Sequence, residues 1–270
     1  MEPKLEIVRL WDKNRFSIRY ALFDFDGTVS LIREGWQDIM IPYFCEVLRS
    51  TATPESEEAI RKIALDFVTD LTGKQTIFQC IKLNEEVVKR GGPKREPIVY
   101  KKEYLRRLEL RIAKRKERLA AGEADPEEWL VPGVGPFLKL LRSNGIKCYL
   151  ASGTDEEDVL YEAKLLGLQG VFDGGIHGAH DAMVECSKEL VINAMLNREH
   201  IRPDELISFG DGFVEVELVA KHGGLAVGVA TEESKRRGVN QWKRSRLIAA
   251  GARVIIPDFR DTEGIYGIIR

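Results

Sequence analysis

The chain has 270 residues, and a prior of about 150 residues per domain gives it one or two domains. With 44% hydrophobic residues, 31% charged residues, 24 Gly and 10 Pro, collagen-like, low-complexity and wholly disordered readings are excluded. Its 41 basic and 43 acidic residues leave a net charge of −2, which disfavours nucleic acid as a partner.

Cys45, Cys80, Cys148 and Cys186 form no CxxC pair, so zinc and dithiol-redox chemistry lack their usual spacing. Scattered cysteines of this kind fit a reducing compartment. The first residues, Met1 to Glu6, show no apolar signal region, and no apolar run approaches a membrane span. These features predict a soluble, cytoplasmic protein with no membrane partner.

In chain order, Tyr20 to Phe23 is a short apolar run that opens into Asp24-Phe25-Asp26-Gly27-Thr28, as a buried strand opens into a polar loop. Residues 31–129 then break the strand rhythm. Trp36, Ile39, Met40, Tyr43, Phe44, Val47 and Leu48 form a helical stripe, with Trp36 and Phe44 assigned to the insert's own core. A second helix is predicted with Thr53 as N-cap and Pro54 first, carrying Ala59, Ile63, Phe67 and Leu71 on one face. A third covers Lys101 to Leu119. Within the stretch Lys89 to Arg118, 13 Lys/Arg stand against 4 Glu, as a solvated face or as an electropositive cover for an anionic substrate.

After the insert the strand style returns. Lys147 to Ala151, Leu206 to Phe209, Leu225 to Val229 and Arg253 to Ile256 alternate with helical patterns at Phe137–Arg142, Glu156–Leu166 and Lys188–Leu196. Continuous apolar strands between helices predict an α/β fold with a doubly wound parallel sheet. The expected organisation is a core of residues 1–30 and 130–270 and an inserted helical domain of residues 31–129. Hinges are expected near Ser30 to Arg33 and Trp129 to Gly133.

Four elements carry chemistry. Asp24 and Asp26 stand where open α/β sheets collect ligands, and paired carboxylates can bind a hard cation and divide nucleophile and acid roles. A polar turn is the plain alternative. A calcium loop fails, because its required Gly would be Val29 and its terminal Glu would be Gly35. No P-loop motif is present. Ser152-Gly153-Thr154 leads into a helix, as a phosphate seat or an ordinary helix cap. Lys188 starts another helix and, taken alone, reads as a surface lysine. Gly210-Asp211-Gly212 with Glu215 again places acids after an apolar strand. His177 and His180 read as loop histidines, with only Asp181 nearby at a metal-binding spacing.

Together and in this order, the four elements resemble the haloacid dehalogenase superfamily of phosphohydrolases and phosphomutases. Asp24-Phe25-Asp26-Gly27-Thr28 matches the first motif, Ser152 the second, Lys188 the third, and Gly210-Asp211 with Glu215 the fourth. Glu215 stands where aspartate is more usual. The insert is similar to the C1 cap of phosphoglycolate-phosphatase and β-phosphoglucomutase relatives.

The resemblance implies a Mg2+-dependent phosphatase acting on a small phosphorylated metabolite through an aspartyl-phosphate. Asp24 is the implied nucleophile and Asp26 the acid–base, with Ser152 and Lys188 holding phosphoryl oxygens. Metal candidates are Asp24, Asp26 through its carbonyl, Asp211 and Glu215. Thr28, Gly153 and Thr154, with Gly73, Lys74 and Gln75 in a Gly-containing break of the insert, are the substrate candidates. A sugar phosphomutase and a non-catalytic regulatory protein are the alternatives, the latter opposed by intact Asp24, Asp26 and Asp211. A Schiff-base role for Lys74, as in phosphonatases, is disfavoured by Asp26. No organic cofactor is called for.

Overall fold

The structure, a computed structural model, describes residues 5–51, 53–180, 187–198 and 200–270. Among the described residues seven strands form one sheet: β1 (Glu6–Ile7), β2 (Tyr20–Phe23), β3 (Lys147–Asp155), β4 (Gly175–Ala179), β5 (Leu206–Gly210), β6 (Leu225–Val229) and β7 (Val254–Ile256). Their order is β1-β7-β6-β5-β2-β3-β4, and all neighbours are parallel except β1 and β7. From β2 the chain moves outward to β3 and β4, then returns to β5 and moves outward the other way. This reversal beside β2 is where ligands collect in open α/β sheets.

β5 and β6 are buried at every residue, as expected for strands covered on both faces. Phe23 on β2 lies directly beside Phe209 on β5, and their rings stack at 4.8 Å. Phe137 and Phe259 close the same cluster, with rings 5.3 Å apart. Each such pair adds about 0.5–1.5 kcal/mol beyond its buried area, so the strand that carries the first motif is anchored at its carboxyl end, directly before Asp24.

Four helices lie between β2 and β3: α1 (Gln37–Arg49), α2 (Glu57–Asp70), α3 (Thr76–Lys89) and α4 (Pro97–Ala120). They share a core in which Phe44 and Phe67 stack at 5.6 Å. The two segments that join them to the sheet pair with each other: Leu31 N–H donates to Trp129 O at 2.7 Å, and Val131 N–H to Val29 O at 3.0 Å. The remaining helices, α5 (Val134–Ser143), α6 (Glu156–Leu165), α7 (Ser187–Asn193), α8 (Phe213–His222), α9 (Gln241–Ala249) and α10 (Thr262–Tyr266), belong to the sheet. None of the helices among the described residues is long and apolar enough to cross a membrane.

Several expectations need correction. Ser56, not Thr53, caps α2: its Oγ accepts from Ala59 N–H at 3.2 Å, while the Thr53 hydroxyl is turned onto Glu55. The fully buried residues of α2 are therefore Ile60, Ala64, Phe67 and Val68; of the expected stripe Phe67 is among them and Ile63 packs half-buried against the same core. Helix α3 was not anticipated, because its buried side includes Gln79, Asn84 and Glu86 and blurs the apolar stripe. Gly175 to Ala179, read as a loop, is edge strand β4, with His177 paired opposite Ala151. α7 gives way after Asn193 to a π-helical turn, Ala194–Arg198. Asp181 and Cys186 lie outside the described residues.

The basic stretch is largely neutralised. Arg106 pairs with Glu103, Arg107 with Glu46 and Glu103, Arg111 with Asp38, Arg115 with Glu34, and Lys116 with Glu109. The solvated, ion-paired face is the reading that fits this helix.

Candidate active site

The carboxyl end of the sheet gathers the functional groups because each follows directly from a strand. β2 ends at Phe23 and delivers Asp24 and Asp26, β3 carries Ser152, Gly153 and Thr154, and β5 delivers Asp211. Lys188 comes from the first turn of α7. From the insert come Arg33, Trp36, Met40, Thr72, Gly73, Lys74, Thr76, Gln79 and Tyr104, and together these residues enclose a cavity of about 90 Å3.

Asp24 is 5% exposed and Lys188 1% exposed. Lys188 Nζ lies 2.8 Å from Asp24 Oδ1 and 2.7 Å from Glu215 Oε2. Phe25 N–H donates to the same Asp24 Oδ1 at 2.7 Å, which leaves Oδ2 for the cavity. Burial pushes the Asp24 carboxyl well above the usual aspartate range, and the Lys188 ammonium opposes it. Burial by itself would discharge Lys188, but Asp24 and Glu215 hold its ammonium above the ordinary lysine value.

Asp26 sits in a different environment. Thr154 Oγ1 donates to its Oδ2 at 2.7 Å, Arg33 Nε lies 3.9 Å from Oδ1, and Oδ1 is buried with no hydrogen-bond partner. Burial raises its carboxyl above the usual range, against the pull of Arg33 and the Thr154 hydrogen bond. Burial raises both carboxyls, so their partners distinguish them: Asp24 lies against the Lys188 ammonium, whereas Asp26 is held by a neutral hydroxyl and a more distant guanidinium, a setting that suits proton donation.

Among the described residues no three His, Cys, Asp or Glu side chains converge on a metal position. Magnesium needs no such cage, because it binds through one or two carboxylates, its own waters and substrate phosphate. Asp24 and Asp211 both line the cavity and fit that donor set. The five carboxylates Asp24, Asp26, Asp211, Glu215 and Glu233 outnumber the three cations beside them, Lys188, Lys243 and Arg33, and Asp26 Oδ1 and Glu215 Oε1 are buried without a hydrogen-bond partner. Excess buried negative charge of this kind calls for a cation.

Nine of the expected site residues line the cavity: Asp24, Asp26, Ser152, Lys188, Asp211, Gly153, Thr154, Gly73 and Lys74. Three do not. Glu215, expected as a metal ligand, turns its carboxylate onto Lys188. Thr28, expected at the substrate, accepts from Asp211 N–H at 2.9 Å and so fixes the β5 loop. Gln75 is 1% exposed, with neither amide atom hydrogen-bonded, and does not reach the cavity. Thr154 lines the cavity, but its hydroxyl is committed to Asp26.

The insert touches the core where side chains are absent. A Cβ on Gly212 would stand 2.9 Å from Gly73 Cα, and one on Gly153 would stand 2.8 Å from Lys74 O. In the sequence Arg33 stands out only as a hinge residue and Trp36 only as insert core, while Tyr104, Gln79 and Lys243 carry no site signal. Arg33 and Trp36 were within reach of a helical-stripe argument, whereas Lys243 in Gln241-Trp242-Lys243-Arg244 carries no pattern.

A family model described as haloacid dehalogenase-like hydrolase matches residues 18–223. No curated protein gives a significant match. Solved structures give many. A predicted phosphoglycolate phosphatase from Haemophilus somnus superposes with TM-score 0.60 at 16% identity, covering 93% of this chain and 98% of that one. A phosphonoacetaldehyde hydrolase-like protein from Oleispira antarctica gives 0.59 at 16% identity, over 94% and 92% of the two chains. A putative β-phosphoglucomutase from Thermotoga maritima gives 0.54 at 18% identity, over 94% and 100%. At these identities the likeness is one of fold.

Proposed function

Because the chain belongs to the haloacid dehalogenase-like hydrolase family, we propose that it is a Mg2+-dependent phosphatase of a small phosphorylated metabolite, working through an aspartyl-phosphate on Asp24. The observation that carries this reading is the 2.8 Å contact of Lys188 with Asp24, in a cavity that also holds Asp26 on its Thr154 hydrogen bond. Two carboxylates in two environments support two roles.

Asp24 attacks phosphorus through Oδ2, and Asp26 protonates the departing alkoxide oxygen. Asp26, now ionised, takes a proton from the water that attacks the aspartyl-phosphate, which restores both carboxyl groups. Splitting the displacement into two steps is the gain from a carboxylate nucleophile. Ser152 and Lys188 hold phosphoryl oxygens, where placed charge does most of the work in phosphoryl transfer. Asp24, the main-chain carbonyl of Asp26 and Asp211 would hold Mg2+, which would supply the positive charge an anionic nucleophile needs to approach an anionic phosphate.

The helices α1 to α4 act as a cap. The cavity of about 90 Å3 is far below the roughly 300–1,000 Å3 of drug-sized pockets, which favours a small substrate and an insert that opens to admit it. Lys74 is the leading specificity residue, since it lines the cavity from the insert and its ammonium lies 6.0 Å from the Phe213 ring centroid. The test is phosphate release from a panel of phosphorylated sugars, hydroxy acids and nucleotides, with Mg2+ and with EDTA. Release from a small ester that requires Mg2+ is the expected result. A folded protein inactive on every ester with Mg2+ present would overturn the reading.

A further inference from the structure

Lys243, on α9, is 8% exposed. Its Nζ lies 2.7 Å from Asp211 Oδ2 and also contacts Glu233 Oε1. The start of α9 is fixed for this reach: Asn240 Oδ1 accepts from Lys243 N–H at 3.1 Å, and Asn240 Nδ2 donates to Glu232 at 3.4 Å. On the opposite side Asp211 Oδ2 meets the loop after β2. Gly27 has φ +76°, and a Cβ there would stand 2.3 Å from Asp211 Oδ2 and 3.1 Å from Glu233 Oε1. Thr28 Oγ1 accepts from Asp211 N–H at 2.9 Å. Asp211, which lines the cavity, is thus held at its main chain and at one carboxylate oxygen, Oδ2.

We infer that Lys243 is a positioning residue that restricts Asp211 to one-oxygen ligation and thereby selects Mg2+ over Ca2+. The inference rests on the metal-dependent reading above. Mg2+ takes near-ideal octahedral geometry at about 2.0–2.1 Å, from few carboxylate oxygens and several waters. Ca2+ takes about six to eight oxygens at longer range and readily accepts a carboxylate through both. An ammonium and the Gly27 loop closed around Oδ2 leave no second oxygen to chelate with. Glu233 holds the same ammonium, so Lys243 is tied to two carboxylates at once.

The experiment is calorimetric titration of the full chain with Mg2+ and, separately, with Ca2+, for wild type and Lys243→Met. Wild type is expected to prefer Mg2+, and the variant to raise the Ca2+-to-Mg2+ affinity ratio by about tenfold or more. Lysine acting only as structural support would weaken both cations together, so a ratio within about twofold of wild type overturns the inference. If Lys243→Met does not fold, a crystal structure of wild type grown with Mg2+ decides. Asp211 bound through Oδ1 alone, with Lys243 still on Oδ2, supports the inference; ligation through both oxygens overturns it. A folded wild type that binds neither cation would sink the metal reading itself, a result distinct from an unchanged ratio.

Discussion

Arg33 and Glu162 meet as a forked ion pair, with Nη2 2.8 Å from Oε1 and Nε 3.1 and 3.2 Å from the two carboxylate oxygens. Arg33 lies in the segment that leaves the sheet for the insert, and Glu162 is wholly buried on α6. Asp158, one turn before Glu162, accepts from the same Nη2 at 2.9 Å. The pair ties one linker to the core and keeps the guanidinium 3.9 Å from Asp26.

Removing Arg33 should therefore cost more than a surface ion pair would. Arg33→Met strands the Glu162 carboxylate in the interior, at an expected loss of about 3–5 kcal/mol in urea unfolding. Arg33→Met with Glu162→Leu removes both charges and should recover much of that loss. A double variant as unstable as the single one would mean that packing, not the unpaired charge, sets the cost.

For Asp24 the expectation concerns chemistry alone. Asp24→Asn keeps the volume and the Phe25 N–H contact but cannot attack phosphorus. Phosphate release should fall below a hundredth of wild type, as loss of a covalent nucleophile implies (roughly 10²-fold or more), while the circular dichroism melt still shows a folded chain. Residual turnover above that level would remove Asp24 from the nucleophile's role.

How much was legible in the sequence follows from how each group is positioned. Asp24, Ser152 and Asp211 stand on or directly after continuous apolar runs, so a strand end fixes them and a linear reading finds them. Lys188 was found only by its place in the order. For Glu215 the sequence gives the spacing of an acid from its strand but not the lysine that one of its oxygens turns toward. The Arg33–Glu162 pair depends on how α6 docks beneath the insert, and Lys243 reaches Asp211 only once α9 is laid beside the sheet. Contacts between elements distant in the chain have no local signature.

Asp26 should be tested by the leaving group. If it protonates the departing oxygen, Asp26→Asn should lose about 10²–10⁴-fold in kcat/KM on an alkyl phosphate, a quantity that ends at formation of the aspartyl-phosphate and leaves out the later attack of water. The loss on p-nitrophenyl phosphate should be much smaller, because nitrophenolate departs with little help. Thr154→Val removes the hydroxyl that donates to Asp26 Oδ2 and should show the same dependence in weaker form. An equal loss on both esters would place Asp26 in metal or substrate binding instead.

Gly212→Ala isolates the seating of the insert. Gly212 has φ −87° and ψ 163°, which alanine adopts freely, so the substitution strains no backbone of its own. Its new methyl would meet Gly73 Cα at 2.9 Å, a main-chain atom that cannot rotate aside. The loop from Thr72 to Thr76 must then lift by some fraction of an ångström, and Lys74 and Thr76 with it. Neither the sheet core nor the helical core is touched, so the unfolding midpoint should shift little, by within about 1 kcal/mol. Catalysis should suffer more, because misplacement near 1 Å can cost about 10²-fold. The expected result is a fall of about 10- to 100-fold in kcat/KM, with faster hydrogen exchange in residues 72–76. Wild-type activity and protection together would show that the insert need not rest on Gly212 during turnover, and the closed arrangement would then have no part in rate.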